Sequence, residues 1–418
     1  MIKEKADLVI EKANELITLC HTNATPIKKE RMQNLGIIKS GSIAIRNGKI
    51  ISVGNARTIK HKFKPKRIID ASGKTVMPGF VDSHTHLIFA GSREEEFKKQ
   101  LQGASYLEIL EKGGGILSTV RETRKASKAE LVSSGRKTLD VMLKHGTTTV
   151  EAKSGYGLTT KDEIKCLQTM KELSIAHPID IVPTFLGAHA LPIEYAGKSD
   201  EYVSLVTDEM IPAITERRLA EFCDVFCEKG AFDFMQSKKI LLKGKKCGLK
   251  LKIHADELTN QNGAELAAEV GCVSAEHLLF SSETGLKAMA KKGVIAILLP
   301  AASFSLSTKR FANAKEILEL GVPMALGTDF NPICWTENMQ EIITLACRLM
   351  HIAPAEAIVA STINAAYAID RGQEVGSLEK GKKADIIVLD IPNHEHLGYR
   401  FGVNLVDKVV KGGCVVVD

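Results

Sequence analysis

Residues 76–86 read Val76-Met77-Pro78-Gly79-Phe80-Val81-Asp82-Ser83-His84-Thr85-His86, an apolar run that ends in two histidines one residue apart. Side chains alternate between the two faces of an extended strand, so His84 and His86 point to the same side. Two imidazole nitrogens on one side can bind one metal ion. The same spacing recurs at 394–396, where no further ligand candidates complete a site, and we interpret that pair as surface.

The composition is that of a globular protein. The chain has 418 residues, of which 44% are hydrophobic and 25% are charged, and it is long enough for a barrel with a smaller second domain. The longest uncharged apolar stretch, 293–308, is interrupted by Pro300 and hydroxyl residues, and the first residues are of mixed charge. Neither segment is typical of a membrane span or a signal peptide, so we expect a cytoplasmic protein that binds no membrane.

The cysteines and the net charge exclude two further classes. Nine cysteines are scattered without framework spacing, which favours reduced thiols over a disulfide scaffold. The net charge of +6 is dispersed, and the basic run 60–67 contains no stacking aromatic residue except Phe63. We therefore expect no nucleic-acid partner.

Both ends of the chain show strand patterns. Residues 42–53 contain Asn47-Gly48 between two β-branched runs, and Asn-Gly favours the type I′ turn of a hairpin. Residues 384–389 and 406–417 are also rich in β-branched side chains. We predict a small β-sandwich domain formed by residues 1–74 and 378–418.

The middle of the chain, residues 75–377, alternates between two patterns. Eight short apolar runs lie at 76–81, 147–151, 179–186, 224–227, 249–254, 273–277, 293–299 and 322–329. Helical periodicity separates them, for example at 127–145, 160–176 and 282–292. This alternation predicts an α/β fold, a (β/α)8 TIM-type barrel, whose active site lies at the C-terminal ends of its strands.

Residues that can bind metal or transfer protons stand at six of these strand ends. His84, His86, His254 and Asp329 form a set that suits Zn²⁺ or Fe²⁺ and leaves one position open for water. A metal ion lowers the pKa of a bound water to about 7. Glu257 follows His254 by three residues and can transfer a proton, while His277 can orient the nucleophile or polarise the substrate. Taken singly, His277 is equally explained as a core histidine and Asp329 as a helix N-cap.

With these residues in place, the sequence resembles the metal-dependent amidohydrolase superfamily and, within it, the imidazolonepropionase family, over nearly its whole length. The segments that carry the resemblance are 78–86, 153–157, 187–192, 254–257 and 327–329. The resemblance implies hydrolysis of the ring C–N bond of 4-imidazolone-5-propanoate to N-formimidoyl-L-glutamate in histidine degradation. It also implies one divalent or trivalent metal ion, zinc or iron, and a homodimer.

The family's functional residues can be carried over one by one. Its metal ligands fall on His84, His86, His254 and Asp329, its proton-transfer glutamate on Glu257 and its second active-site histidine on His277, with Asp329 or His277 as the base. Its substrate contacts fall on Arg93, Tyr106, Tyr156, His189 and Asn331, and the loop after Asn331 adds Ile333 and Cys334.

Arg93 also meets a chemical need, since the propanoate of a small-molecule substrate requires a cation and arginine binds carboxylates bidentately. The alternatives are a surface ion pair for Arg93, which precedes three glutamates, and helix packing for Tyr106. One departure concerns Ile333, which stands where the family pattern has glycine. An isoleucine there narrows the pocket or shifts the loop.

Two other functions fit the same residues. A mononuclear deaminase of the cytosine deaminase type shares the His-x-x-Glu arrangement, and a non-catalytic relative would serve as a binding protein. A binuclear site with a carboxylated lysine is disfavoured, because its lysine should follow the fourth strand, whereas Lys153 follows the second. Arg93 and Tyr156 favour a substrate that bears a carboxylate.

Overall fold

The computed structural model describes residues 3–20, 25–103 and 114–418. Its strands are β1 (Glu4–Ile17), β2 (Ile37–Arg46), β3 (Lys49–Asn55), β4 (Phe63–Asp70), β5 (Thr75–Pro78), β6 (Phe80–Asp82), β7 (Thr147–Lys153), β8 (Asp180–Ala188), β9 (Phe222–Cys227), β10 (Lys250–Leu251), β11 (His254–Ala255), β12 (Ser274–His277), β13 (Ile295–Leu298), β14 (Met324–Leu326), β15 (Ile386–Leu389), β16 (Val406–Lys411) and β17 (Cys414–Val417). The α-helices of the same ranges are Ala56–Lys62, Glu94–Leu101, Ile116–Lys125, Lys128–Lys144, Thr160–Ala176, Ser199–Leu205, Ile211–Glu216, Phe234–Lys246, Gly263–Val270, Glu283–Lys292, Pro300–Ser305, Ala314–Leu320, Met339–Leu349, Pro354–Ala360, Ile363–Ala368 and His396–Tyr399, with a π-helical turn at Val206–Met210 and 3₁₀ turns at Lys29–Gln33 and Ile193–Tyr195.

Strands β6 to β14 form a parallel sheet in the order β14-β13-β12-β11-β9-β8-β7-β6, with β10 paired to β9. The sheet closes just beyond its first and last strands. There the backbone N–H of Asp329 donates to the carbonyl of His84 at 3.0 Å, and that of His86 donates to Phe330 at 2.8 Å. The predicted (β/α)8 barrel is confirmed, and its closure joins two segments that carry predicted ligands.

Each of the eight predicted apolar runs overlaps a barrel strand, but the first run is not one strand. Thr75–Pro78 belongs to the other sheet, where it pairs with β1 and β15, and only Phe80–Asp82 enters the barrel. Gly79 separates the two strands. A Cβ on Gly79 would lie 2.3 Å from Cγ2 of Thr148, so only glycine lets the backbone approach β7 this closely.

The terminal segments form one mixed sheet in the order β17-β16-β15-β5-β1-β2-β3, with β4 beside β1. The turn between β2 and β3 is the predicted one, since Asn47 and Gly48 have φ of 51° and 73°. Buried side chains of β1, β2 and β15 share one apolar cluster. A β domain built from both termini is thus confirmed, while the boundaries after residues 74 and 377 stay predictions, since β5 lies in this sheet.

The helices begin where the sequence offers caps. Ser127 and Glu130 form a capping box before Lys128–Lys144, in which each side chain accepts the other residue's backbone N–H. Such a cap stabilises a helix by about 1 kcal/mol. Within the described ranges, we find no helix with the length and apolar character that crossing a membrane requires.

Candidate active site

The four predicted metal ligands converge at the C-terminal end of the barrel. His84 and His86 follow β6, His254 begins β11 and Asp329 follows β14. Nε2 of His84 and Nε2 of His86 lie 3.3 Å and 3.5 Å from Oδ1 of Asp329. Nε2 of His254 lies 3.4 Å from Nε2 of His86. All four residues are buried. Donor atoms of His84, His86 and Asp329 lie within 4.8 Å of one another, and His254 joins this cluster through His86.

The donor set fits a metal ion. Within the described ranges, Nε2 of His84 and Oδ1 of Asp329 are buried without a hydrogen-bond partner, which is costly for polar atoms. Burial lowers the pKa of His84 and of His86 well below the usual value, and neutral imidazole is the form that binds metal. Three imidazoles and one carboxylate suit a divalent metal ion.

The backbone is strained at two of the predicted site residues. Asp329 has φ of 52° and His277 has φ of 71°, values that are uncommon for residues other than glycine. Asp82 stabilises the turn that contains Asp329. One carboxylate oxygen of Asp82 accepts the backbone N–H of Thr328 at 3.0 Å, and the other accepts the Thr328 hydroxyl at 2.6 Å. The buried carboxylate of Asp82 thereby joins the end of β6 to the turn that presents Asp329.

Glu257 and His277, the two predicted proton-transfer groups, face each other. Nε2 of His277 lies 3.6 Å from Oε2 of Glu257. Burial, followed by the charge of Asp329, raises the pKa of Glu257 to about 8. Burial lowers the pKa of His277 well below its usual value. These shifts favour the protonated form of Glu257 and the neutral form of His277 at neutral pH.

A cavity of about 350 Å³ opens beside these groups. The predicted substrate contacts that line it are Arg93, Tyr156, His189, Asn331, Ile333 and Cys334, together with His86, His254, Glu257, His277 and Asp329. Tyr106 lies outside the described residues. The cavity size is typical of a small-molecule site. The structure brings the predicted residues together, and their individual roles stay predictions.

Arg93 is paired but buried. Its Nη2 and Nε lie 2.6 Å and 2.8 Å from Oε2 of Glu96, and the residue is 5% exposed. The other oxygen of Glu96 accepts the backbone N–H of Gly115 at 2.9 Å. The alternative interpretation, a surface ion pair, is therefore confirmed for the pairing of Arg93 with a glutamate and contradicted for its exposure, since Arg93 is buried. Glu96 orients the guanidinium at the cavity wall.

Two further predicted contacts have defined partners. The ring of His189 stacks on His86 with centroids 4.8 Å apart, and its Nδ1 lies 3.0 Å from the carbonyl oxygen of Gly155. Burial lowers the pKa of His189 to about 3, so the ring is neutral. Oδ1 of Asn331 accepts the backbone N–H groups of Ile333 and Cys334 at 2.9 Å and 3.0 Å. Asn331 therefore fixes the loop in which isoleucine replaces the expected glycine.

A charged network beneath the ligands was not predicted. Nζ of Lys153 lies 2.8 Å from carboxylate oxygens of both Glu151 and Asp224, and all three side chains are fully buried. Asp224 in turn lies 3.1 Å from Nδ1 of His254. Burial raises the pKa of Asp224, but Lys153 and His254 together outweigh burial and the pKa falls well below its usual value. Such a carboxylate holds a ligating histidine in the tautomer that presents Nε2.

A second buried lysine extends this network. Nζ of Lys252 lies 3.1 Å from Oε1 of Glu276 and 2.8 Å from Oγ of Ser274. Charged residues inside otherwise apolar strands, as in Glu151-Ala152-Lys153, were the signal that could have revealed it, because alternate residues share one face of a strand.

Comparisons with known proteins agree with this arrangement. Residues 75–416 match the amidohydrolase family model. The chain is 50% identical over 415 residues to an imidazolonepropionase of Alkaliphilus metalliredigens strain QYMF, covering 99% of this chain and 98% of that protein. It is likewise 50% identical over 416 residues to an imidazolonepropionase of Geobacillus kaustophilus strain HTA426, covering 98% of each.

Solved structures show the same fold at low identity. An adenosine deaminase from Xanthomonas campestris with bound zinc aligns with a TM-score of 0.74 at 19% identity, covering 100% of this chain and 94% of that one. An atrazine chlorohydrolase from Arthrobacter aurescens TC1 complexed with zinc gives 0.68 at 17%, covering 98% and 95%. From the family match and the full-length relatives, the chain belongs to the amidohydrolase family and, within it, to the imidazolonepropionases.

Proposed function

We propose that this chain hydrolyses the ring C–N bond of 4-imidazolone-5-propanoate and releases N-formimidoyl-L-glutamate, using one zinc or iron ion per chain. The observation that carries the proposal is the 50% identity with imidazolonepropionases over nearly the whole chain. The cavity supports it, because it combines a buried cluster of metal-binding groups with a buried arginine. A cytoplasmic location and a homodimer stay predictions from the sequence.

The ligand cluster prepares the reacting centre. When bound, a metal ion supplies hydroxide at neutral pH and polarises the ring carbonyl. Asp224 keeps the proton on Nδ1 of His254, so Nε2 remains free to bind the ion. Asp329 or His277 takes the proton from the attacking water, as the sequence analysis left open.

Two residues complete the proton transfers. His277 lies beside Glu257 and hydrogen-bonds the carbonyl oxygen as the carbon becomes tetrahedral. Glu257, which holds a proton at neutral pH because its pKa is raised to about 8, gives that proton to the departing ring nitrogen. The C–N bond breaks, the carbonyl carbon becomes a carboxylate and the ring opens.

Arg93 binds the substrate's propanoate. Its guanidinium lines the cavity and is oriented by Glu96, which limits the entropy that is lost on binding. Tyr156 and His189 pack beside the imidazolone ring, since their rings lie 5.2 Å apart at the same wall. A nucleobase offers no carboxylate for Arg93, so no observation in the cavity favours the deaminase alternative.

The test is turnover of freshly generated 4-imidazolone-5-propanoate by zinc-replete protein, with the product identified by mass spectrometry. We expect formation of N-formimidoyl-L-glutamate, loss of activity after chelation and recovery on adding zinc or iron back. Full metal occupancy without turnover would contradict the proposed substrate. Ammonia release from cytosine would then support the deaminase.

A further inference from the structure

Glu163 is a buried carboxylate that lies outside the cavity and that neither the sequence analysis nor the mechanism uses. It stands in the first turn of the helix Thr160–Ala176 and is fully buried. Its Oε1 accepts the backbone N–H groups of Gly157 and Leu158, each at 2.8 Å. The backbone N–H of Gly155 lies 3.2 Å from Oε1 and 3.1 Å from Oε2.

These hydrogen bonds hold a loop of unusual shape, residues 154–158. Gly155 and Leu158 have φ of 107° and 52°, and a Cβ on Gly157 would lie 2.5 Å from the backbone N of Glu163. The loop therefore turns the N–H groups of Gly155, Gly157 and Leu158 toward the helix, where the carboxylate of Glu163 accepts all three. Burial raises the pKa of Glu163 and the surrounding donors oppose that shift. Glutamine would keep one acceptor oxygen, but its NH₂ group would replace Oε2, which the backbone N–H of Gly155 approaches at 3.1 Å, and it would remove the charge that strengthens these hydrogen bonds.

The same loop shapes the cavity wall in two ways. It carries Tyr156, which lines the cavity. Its Gly155 carbonyl also lies 3.0 Å from Nδ1 of His189. A carbonyl oxygen only accepts, so Nδ1 of His189 carries the proton and Nε2 is left as an acceptor.

We propose that Glu163 is a positioning residue of the active site: its carboxylate sets loop 154–158, and through the loop it fixes Tyr156 and the Nδ1–H tautomer of His189. The inference rests on the proposed function only in its choice of substrate. Glu163 contacts neither the cavity nor the predicted ligands, so its removal acts on substrate binding and leaves the metal site intact.

The experiment compares Glu163→Gln with Asp162→Asn, a matched control in the same helical turn whose side chain pairs with Lys165 and Thr159. We expect Glu163→Gln to raise KM for 4-imidazolone-5-propanoate about 10- to 100-fold, the range expected for loss of hydrogen bonds to a charged group. Metal content and kcat should stay close to wild type. Asp162→Asn should leave KM unchanged, and Glu163→Asp should fall between the two.

A folded Glu163→Gln protein with wild-type KM would overturn the proposal. A rise in KM accompanied by losses of kcat and of metal content would also overturn it. If that variant does not fold, the imidazole ¹⁵N spectra of wild-type and Glu163→Asp protein decide, because they report the tautomer of His189 directly. A proton on Nδ1 is expected in wild type and a larger share of the Nε2–H tautomer in the variant, and identical spectra would contradict the inference. These spectra need no substrate, so failure of the proposed function would show separately, as absent turnover by the wild-type protein.

Discussion

The chain contains two His-x-His pairs with the same spacing and different surroundings. His84 and His86 are buried, and both approach Oδ1 of Asp329. His394, in contrast, is partly exposed, and both its backbone N–H and its Nδ1 lie 2.9 Å from one oxygen of Glu15. His396 begins the short helix His396–Tyr399 and contacts the ring of Tyr399.

The difference lies in what converges on each pair. The first pair follows a barrel strand, so the ends of β11 and β14 bring a third imidazole and a carboxylate to it. The second pair lies at the start of a short helix outside the barrel, where one carboxylate already has both His394 and Lys39 as partners. Identical spacing thus gives a metal site only where the topology supplies the remaining donors.

The largest effect is expected when the carboxylate partner of the first pair is removed. Removal of the carboxylate partner of the second pair provides the control. Asp329→Ala removes a donor shared by His84 and His86, and we expect kcat/KM to fall by at least about 10³-fold, since metal catalysis supplies several kcal/mol. Glu15→Ala is the matched control and should leave kcat/KM unchanged. Steady-state kinetics of both proteins measure this, and equal losses would mean that the comparison is wrong.

Glu257→Gln should lower kcat by about 10²- to 10⁴-fold, the usual contribution of a general acid. Its metal content should stay normal, because Glu257 faces His277 and not Oδ1 of Asp329, the oxygen that both His84 and His86 approach. Metal analysis beside the kinetics separates the two roles. A variant that loses its metal would show that Glu257 is a ligand or a structural residue.

The pH dependence follows from the same residue. The pKa of Glu257 is raised to about 8, and a general acid acts only while protonated. In wild-type protein kcat/KM should therefore fall as pH rises through about 8. In Glu257→Gln this basic limb should be absent. If the limb persists in the variant, another group provides the proton.

Asp224→Asn tests the buried network behind the first pair, in which Asp224 contacts both Lys153 and His254. Among the described residues, the second pair has no such network, because its carboxylate, Glu15, pairs with the exposed Lys39. The variant should bind zinc about 10- to 100-fold more weakly, as is usual when the partner of a ligating histidine is lost. Competition with a chromophoric chelator measures the affinity. Unchanged affinity would show that His254 keeps its tautomer without Asp224.

The smallest effect is expected at the second pair. Burial raises the pKa of Glu15, but Lys39 and His394 outweigh burial and lower it overall. His394→Ala removes one of these partners and leaves Lys39, so the free energy of unfolding should fall by about 1 kcal/mol or less. Urea denaturation measures this, and a loss well above 2 kcal/mol would mean that the pair is a structural centre.

The candidate metal ligands could be predicted from the sequence, because the C-terminal ends of the strands converge in a parallel barrel. The buried charged network beneath the ligands was not predicted. The role of a charged residue inside a strand, such as Asp224 or Lys252, can be inferred only when its partner on another strand is known. The split of the first run at Gly79 was also hidden, because Thr75–Pro78 and Phe80–Asp82 are equally apolar. The partner of Arg93 was visible, but its burial depends on how the helices pack.

The most direct test counts metal equivalents in two double variants after dialysis against zinc. His84→Ala with His86→Ala should retain less than about one tenth of an equivalent per chain, since two of the four donors are lost. His394→Ala with His396→Ala should retain one equivalent, the value we also expect for wild type. A full equivalent in the first protein, or loss of metal from the second, would contradict the account that the converging strand ends form the metal site.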